Sequence, residues 1–161
     1  MRMRINGMVI RKLIEKDLPP ALDLVWAVFS HFEAPEYTQE GIDVFRDFID
    51  LESIRRMEEA GVLLFYGAFE KDRIVGVIAV RGLSHISLLF VDPDYHRRGV
   101  ARALFSEIQR LVRANDLSEI TVNSSPFAVD FYKKVGFRAL SPELEKQGIR
   151  YTPMSFSVPA K

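Results

Sequence analysis

The segment from Leu88 to Asn115 constrains the fold most strongly, because an apolar strand, a short loop and a long helix follow one another in it. The apolar run ends at Asp92-Pro93, and Gly99 opens the helix. Apolar side chains then recur on one helix face at spacings of three and four residues: Ala101, Leu104, Phe105, Ile108, Leu111 and Val112. A buried strand that passes into an amphipathic helix is typical of α/β domains.

The rest of the chain predicts helices on both faces of a mixed sheet. Helices are expected after Asp17, after Thr38, over Leu51 to Ala60 and from Pro126, each with an apolar stripe. Strands are predicted at Met8–Leu13, Val62–Phe69, Ile74–Val80, His85–Val91, Ile120–Asn123 and Thr152–Val158. This order predicts one three-layer α/β domain over residues 1–161.

Composition excludes several classes of function. The 22 basic and 22 acidic residues balance, so nothing demands a nucleic-acid partner. The chain contains no cysteine, which rules out disulfides, thiolate metal sites and a cysteine nucleophile. Three separated histidines predict no metal site, and the apolar runs are too short to span a bilayer. A cytoplasmic protein without a membrane partner is the expectation.

The start of the long helix has the properties of an anion site. Its first N–H groups lack intrahelical acceptors and lie at the positive end of the helix dipole. Gly99 allows the backbone to approach a phosphate closely, and Arg97, Arg98 and Arg102 add positive charge nearby. From spacing alone, a pyrophosphate site and a set of merely solvated arginines are both open interpretations.

The segment His96-Arg97-Arg98-Gly99-Val100-Ala101 resembles the acetyl-CoA signature of the GNAT superfamily of N-acyltransferases, Gln/Arg-x-x-Gly-x-Gly/Ala. Similar stretches follow in the family's order: Phe90-Val91-Asp92-Pro93, then Thr121-Val122-Asn123-Ser124-Ser125-Pro126, Ala128, Phe131-Tyr132, Gly136-Phe137 and Gly148 to Met154. The likeness covers residues from about 62 onwards. His96 departs from the pattern, since the family has Gln or Arg at that position.

The resemblance implies a GNAT-type fold with a mixed, mostly antiparallel sheet and an acetyl-CoA-dependent N-acetyltransferase activity. The pantetheine arm would lie in a gap beside the strand ending at Val91, where a bulge commonly opens the sheet. A backbone N–H there would stabilise the oxyanion formed at the thioester. The implied cofactor contacts are Leu89, Val91, Arg97, Arg98, Gly99, Val100, Ala101, Arg102 and Asn123.

The candidate catalytic residues are Tyr132 and His85. Tyr132 matches the family tyrosine that often serves as general acid, although its position on an apolar stripe also fits a core residue. His85, expected to share a strand face with Ser87 and Leu89, could act as a base or be structural. The acidic residues of the loop after the first helix, together with His31, are interpreted as a solvated loop rather than as an amine site: Glu33 and Glu36.

The predicted function is therefore acetyl transfer to a small-molecule amine or a peptide amine by direct attack on acetyl-CoA. A non-catalytic acyl-CoA sensing module on the same fold is the alternative. An unrelated nucleotide-binding protein would require a Gly-x-Gly-x-x-Gly or Gly-x-x-x-x-Gly-Lys-Ser/Thr loop, and the sequence has neither. A homodimer through strand edges near the C-terminus is a further expectation.

Overall fold

A mixed sheet lies at the centre of the protein, whose computed structural model describes residues 3–5 and 7–159. Its strands are β1 (Met3–Ile5), β2 (Met8–Lys12), β3 (Leu63–Glu70), β4 (Arg73–Arg81), β5 (His85–Val91), β6 (Glu119–Ser124), β7 (Arg138–Ala139), β8 (Leu144–Lys146) and β9 (Ile149–Ser157). They pair in the order β1-β2-β3-β4-β5-β6-β9-β7, and β8 pairs with β9. The β5–β6 pair is parallel and the other described pairs are antiparallel, which confirms the predicted mostly antiparallel sheet.

Helices cover both faces of this sheet. They are α1 (Leu18–Phe32), α2 (Gln39–Phe48), α3 (Leu51–Glu59), α4 (Val100–Ala114) and α5 (Val129–Val135). The first three helices bury their apolar stripes on one face, in a cluster that includes Val25, Phe29 and Ile54. The last two pack on the opposite face, where Leu104, Ile108 and Tyr132 are buried. The predicted three-layer arrangement is therefore confirmed.

The longer elements lie close to their predicted positions, and the short ones were missed. β5 has the predicted bounds and α4 differs by one residue at each end. The helix expected from Pro126 begins as a 3₁₀ turn over Pro126–Ala128 and becomes α-helical at Val129. β1, β7 and β8 were not predicted, because strands of two or three residues have too few side chains to show a period.

The turn between β8 and β9 is held against the start of α2. The N–H of Thr38 donates to the carbonyl oxygen of Gly148 at 3.2 Å. A Cβ added to Gly41 would collide with the Gly148 carbonyl, and a Cβ added to Gly148 would collide with the Thr38 hydroxyl. Backbone therefore meets backbone at this contact, which fixes the β8–β9 turn beside the segment that joins α1 to α2.

Candidate active site

β5 and β6 separate soon after they meet. Across these two fully described strands, the parallel register pairs His85 with Thr121 and Ile86 with Val122 and extends no further. On its other edge β5 stays paired with β4 as far as Val91. A bulge interrupts that pairing where Val80 faces Ile86 and Ala79 faces Leu88, so that residue 87 is the extra one. A gap therefore opens beside residues 88–91, where the resemblance placed one.

Backbone groups of β5 point into this gap. The N–H of Asp92 donates to the Val75 carbonyl oxygen on β4 at 2.9 Å. Backbone groups alternate in direction along an antiparallel edge, so the N–H and C=O groups of Val91 and Leu89 point away from β4. Apart from the Val91 carbonyl, which lies 2.8 Å from His96 Nε2, these groups are unpaired at the position expected for a pantetheine arm.

The loop after β5 presents its backbone to the same side. Arg97 and Gly99 adopt left-handed conformations, with φ of 63° and 80°, and α4 begins at Val100. The first N–H groups of α4 have no intrahelical acceptors, and the helix dipole favours an anion there. A Cβ added to Gly99 would meet nothing within 4 Å, so open space lies directly in front of this turn.

Polar contacts join this loop to the end of β3 and the start of β4. The Tyr95 hydroxyl donates to Glu70 Oε1 at 2.9 Å, and Arg73 Nη2 donates to Asp92 Oδ2 at 2.7 Å. The Arg98 guanidinium lies over the Tyr95 ring, 4.7 Å from its centroid. A cavity lies beside the loop, and two of the arginines predicted there, Arg97 and Arg102, line it. Arg98 is not among its described lining residues. Its observed contact is therefore with the loop itself.

His96, the departure from the family signature, bonds to the strand instead. Its Nε2 lies 2.8 Å from the carbonyl oxygen of Val91, which requires that this nitrogen carry the hydrogen. The imidazole also packs against Phe32 of α1, with 5.4 Å between ring centroids. His96 thereby connects the loop between β5 and α4 with the end of β5 and the end of α1.

The gap and the loop together enclose a cavity of about 790 Å³, within the range usual for ligand sites. Its walls include Phe127, an apolar side chain that is 49% exposed, and the Phe32 ring lies 5.0 Å from it. Most of the predicted cofactor contacts line this larger cavity: Leu89, Val91, Arg97, Gly99, Val100, Ala101 and Arg102. Phe131, Tyr132 and Lys134 contribute from α5.

A smaller cavity of about 170 Å³ continues through the gap towards α2 and the β8–β9 turn. Its lining includes Tyr37, Phe45 and Ile149, together with Asn123 from the end of β6. Asn123 therefore lies at the smaller cavity rather than at the larger one, where its predicted cofactor role would place it. Five residues line both cavities and so mark their junction: Glu33, Leu89, Phe90, Ala128 and Tyr132.

The two ionisable groups at the junction have perturbed proton affinities. Burial raises the pKa of Glu33 to about 7, and the nearby Ser125 hydroxyl, which has no hydrogen-bond partner within the described residues, opposes the rise to a smaller extent. Burial, and secondly the charge of Glu33, raise the pKa of Tyr132 above its ordinary value. A carboxyl group that titrates near neutrality and a phenol that stays protonated therefore lie on the same wall.

The interpretation of Glu33 as part of a solvated loop is wrong. Glu33 is the C-cap residue of α1 and is half-buried at the junction of the two cavities, whereas His31 and Glu36 are exposed as expected. One sequence signal could have located it. Glu33 follows Phe29 by four residues and so continues the buried helix stripe formed by Val25 and Phe29.

His85 lies outside the described lining of both cavities. Its Nδ1 is 2.8 Å from the Thr121 hydroxyl, and burial lowers its pKa. The prediction that His85 and Leu89 share a strand face is wrong, because the bulge at residue 87 shifts the alternation. Ile86 and Leu89 contact the same apolar cluster beneath α4, so His85 faces the other side.

Comparison with known proteins assigns the chain to a family. Residues 33–158 match the family described as "Acetyltransferase (GNAT) domain". The chain belongs to the GNAT family. The matched residues include the junction of the two cavities and the whole loop between β5 and α4. The predicted family membership is confirmed.

Curated relatives carry N-acetyltransferase names. The chain is 33% identical over 103 residues to the peptidyl-lysine N-acetyltransferase YjaB of Escherichia coli (strain K12), which is 60% of this chain and 68% of YjaB. It is 39% identical over 69 residues to the uncharacterized N-acetyltransferase YafP of the same organism, an alignment that spans 42% of this chain and 43% of YafP. The second alignment thus spans less than half of its relative.

Solved structures share the fold over nearly the whole chain. A GCN5-related N-acetyltransferase from Rhodopseudomonas palustris superposes with a TM-score of 0.81 at 24% identity, covering 96% of this chain and 98% of that one. The PaiA N-acetyltransferase from Thermoplasma acidophilum, in complex with coenzyme A, gives a TM-score of 0.78 at 20% identity, covering 93% and 98%. At these identities the likeness shows the common fold.

The protein is an N-acetyltransferase of this family, and acetyl-CoA is the family's co-substrate. The residues present fit that molecule, since open space lies before Gly99 and unpaired strand groups face the gap. The predicted enzyme class and co-substrate are therefore confirmed. Among the described residues, no helix combines the length and the apolar character needed to cross a membrane.

Proposed function

We propose that this enzyme acetylates a primary amine by direct attack on acetyl-CoA, with Glu33 as general base and Tyr132 as general acid. The observation that carries the proposal is the position of both residues at the junction of the two cavities. The thioester, bound in the larger cavity, supplies the acetyl group: the amine forms the new C–N bond, and the C–S bond breaks. The amine reaches the junction through the smaller cavity.

Glu33 removes a proton from the incoming ammonium. An amine must be neutral to attack a carbonyl carbon, and a free lysine-type amine is protonated at neutral pH, with a pKa of about 10.4. A carboxylate whose pKa is about 7 is well matched to accept that proton at physiological pH. Glu33 then releases the proton to solvent through the open smaller cavity.

Tyr132 donates its hydroxyl hydrogen to the leaving sulfur. Since burial raises the pKa of this phenol, it stays protonated until negative charge develops on the sulfur. The ammonium loses two protons overall. One leaves through Glu33, and the other replaces the hydrogen that Tyr132 gives to the thiolate.

The backbone of β5 stabilises the developing oxyanion. The N–H groups of Leu89 and Val91 point into the gap, and a correctly aimed donor of this kind contributes roughly 2.7–4 kcal/mol to transition-state stabilisation. The pyrophosphate binds to Arg97, Arg102 and the backbone N–H groups from Gly99 onwards, which all lie at the larger cavity. The Val91 carbonyl is already bonded to His96, so we assign only its N–H to the reaction.

The acceptor is a primary amine, and the name of YjaB makes a peptide lysine one candidate. The charge at the smaller cavity agrees with a cationic acceptor, because Glu33 is its one charged lining residue among those described.

A Tyr132→Phe variant tests the proposal. Coenzyme A release in the presence of acetyl-CoA and amine is followed with a thiol reagent, and the absence of cysteine makes every detected thiol coenzyme A. We expect the variant to lose about 100-fold or more in kcat with little change in acetyl-CoA affinity. Tyr66→Phe is the matched control, since Tyr66 packs on the same apolar cluster but lines neither cavity. Equal kcat in wild type and Tyr132→Phe would return Tyr132 to a structural role.

A further inference from the structure

We propose that the acceptor is a primary amine at the end of an unbranched aliphatic chain, with no anionic group near the nitrogen. This inference rests on the proposed function, because it takes the smaller cavity as the path of the amine. It is carried by the size, lining and charge of that cavity.

The size of the smaller cavity limits what can pass. Its 170 Å³ is close to the volume of an apolar cavity of about 150 Å³ that accommodates benzene in another protein, so about six carbon-sized groups fit. A linear chain of four or five carbons with a terminal nitrogen occupies such a space. A phosphorylated amino sugar contains many more atoms than this volume holds, so most of it would remain outside the cavity.

One side of the cavity offers hydrocarbon surface next to the amine. Phe45, Phe90 and Ile149 supply it, and Leu88 and Val122 continue it along the two strands. The polar lining residues are neutral apart from Glu33: Tyr37, Ser87, Asn123, Ser124 and Ser125. The Phe45 and Phe90 rings lie 5.9 Å apart and are supported by the rest of the α1-side cluster. Aromatic faces also attract a cation, which agrees with passage of an ammonium group.

The charges around the cavity disfavour an anion beside the amine. Neither Lys, Arg nor His is found among its described lining residues, so an acceptor carboxylate or phosphate would have no cationic partner. It would instead face Glu33. Arg150, which follows the lining residue Ile149 in sequence, already pairs with Glu36 at 2.7 Å and Glu143 at 2.9 Å. Its guanidinium is therefore occupied.

Tyr37, on the loop after α1, and Ile149, at the start of β9, both line this cavity. The segments that carry them are joined at Gly41 and Gly148, where an added Cβ on either glycine would collide with the other segment. Ile149 therefore belongs to a wall that is held in place by a close backbone contact, and a carbon branched beside the nitrogen would press against this wall.

The experiment compares two isomeric amines. With acetyl-CoA saturating, we expect kcat/KM for 1-aminopentane to exceed that for 2-aminopentane, which is branched beside the nitrogen, by at least tenfold. Norleucine, which adds a carboxylate beside the amine, and glucosamine 6-phosphate should both react at least tenfold more slowly than 1-aminopentane. Nα-acetyl-lysine amide and 1,5-diaminopentane present the same terminal chain, and their relative rates distinguish a lysine side chain from a free diamine as its source.

An Ile149→Ala variant removes side-chain volume from the wall of the smaller cavity. We expect it to reduce the preference for 1-aminopentane over 2-aminopentane at least threefold while acetyl-CoA affinity stays unchanged. Leu144→Ala is the matched control, because Leu144 is an exposed residue of the same hairpin outside the cavity lining. Equal rates for the two isomers, or faster reaction of an anionic amine, would overturn this inference and leave the proposed function intact. Failure of every amine with a protein that binds acetyl-CoA would overturn both.

Discussion

Replacing Glu33 by glutamine should make the protein more stable and less active at the same time. The pKa of Glu33 rises from 4.5 to about 7, so the folded state holds its proton more tightly than the unfolded state does. Stability conferred by a group of this kind falls as the pH rises from 4.5 to 7. At about 1.4 kcal/mol per pH unit, the shift from 4.5 to about 7 means that the charged carboxylate lowers the free energy of unfolding by at most roughly 3–4 kcal/mol well above pH 7.

Glu33→Gln removes that charge with little change in shape. We expect its gain in the free energy of unfolding to approach 3 kcal/mol at pH 8 and to vanish near pH 4, as measured by urea denaturation at both pH values. Glu59→Gln, an exposed carboxylate at the end of α3, should show no comparable gain. A Glu33→Gln protein no more stable than wild type at pH 8 would refute the buried charge.

The activity of the same variant tests the catalytic half of the argument. In the wild type, kcat/KM should rise with pH and level off above about pH 7, because Glu33 must be deprotonated to accept a proton. Glu33→Gln should lose about 100-fold or more in kcat and should lack this inflection. A variant that kept both the rate and the inflection would assign the base to another group.

Two further substitutions probe the co-substrate side. Gly99→Glu places a carboxylate at the anion site and should weaken acetyl-CoA binding more than tenfold by calorimetry. Gly61→Glu, at another positive-φ glycine with open space around it, should cost a similar amount of stability, about 1–2 kcal/mol, and leave binding unchanged. His96→Ala should weaken acetyl-CoA binding by about fivefold, the equivalent of one lost hydrogen bond, whereas His96→Gln, which can still donate to Val91, should restore most of the affinity. Equal affinities for both His96 variants would contradict the positioning role.

Local sequence patterns were sufficient for the elements that carry the co-substrate site. The mostly apolar run of β5 is seven residues long, and the apolar stripe of α4 repeats over about four helical turns. Patterns of this length allowed the bounds of both elements to be predicted closely. Gly99 marked the transition between them, and the structure places its left-handed turn at the edge of the larger cavity.

The acceptor side depends on contacts between residues far apart in sequence. Glu33 looked like one of several acidic loop residues, and only the packing of α1 against the gap buries it. The bulge at residue 87 changes which β5 side chains share a face, and an apolar run contains no signal for it. Tyr37 and Ile149 both line the smaller cavity, and the Gly41–Gly148 contact joins the distant segments that carry them.

Calorimetric titration of the purified protein with acetyl-CoA is the most direct test of the central claim that the larger cavity holds this molecule. ATP and NAD serve as controls, since they share a nucleotide and a pyrophosphate linkage but lack a pantetheine arm to pair with β5. We predict micromolar binding of acetyl-CoA alone, weakened more than tenfold in Gly99→Glu. Absence of binding by acetyl-CoA and its longer acyl relatives, or equal binding of ATP, would contradict the assignment of the gap beside Leu89 and Val91 to the co-substrate.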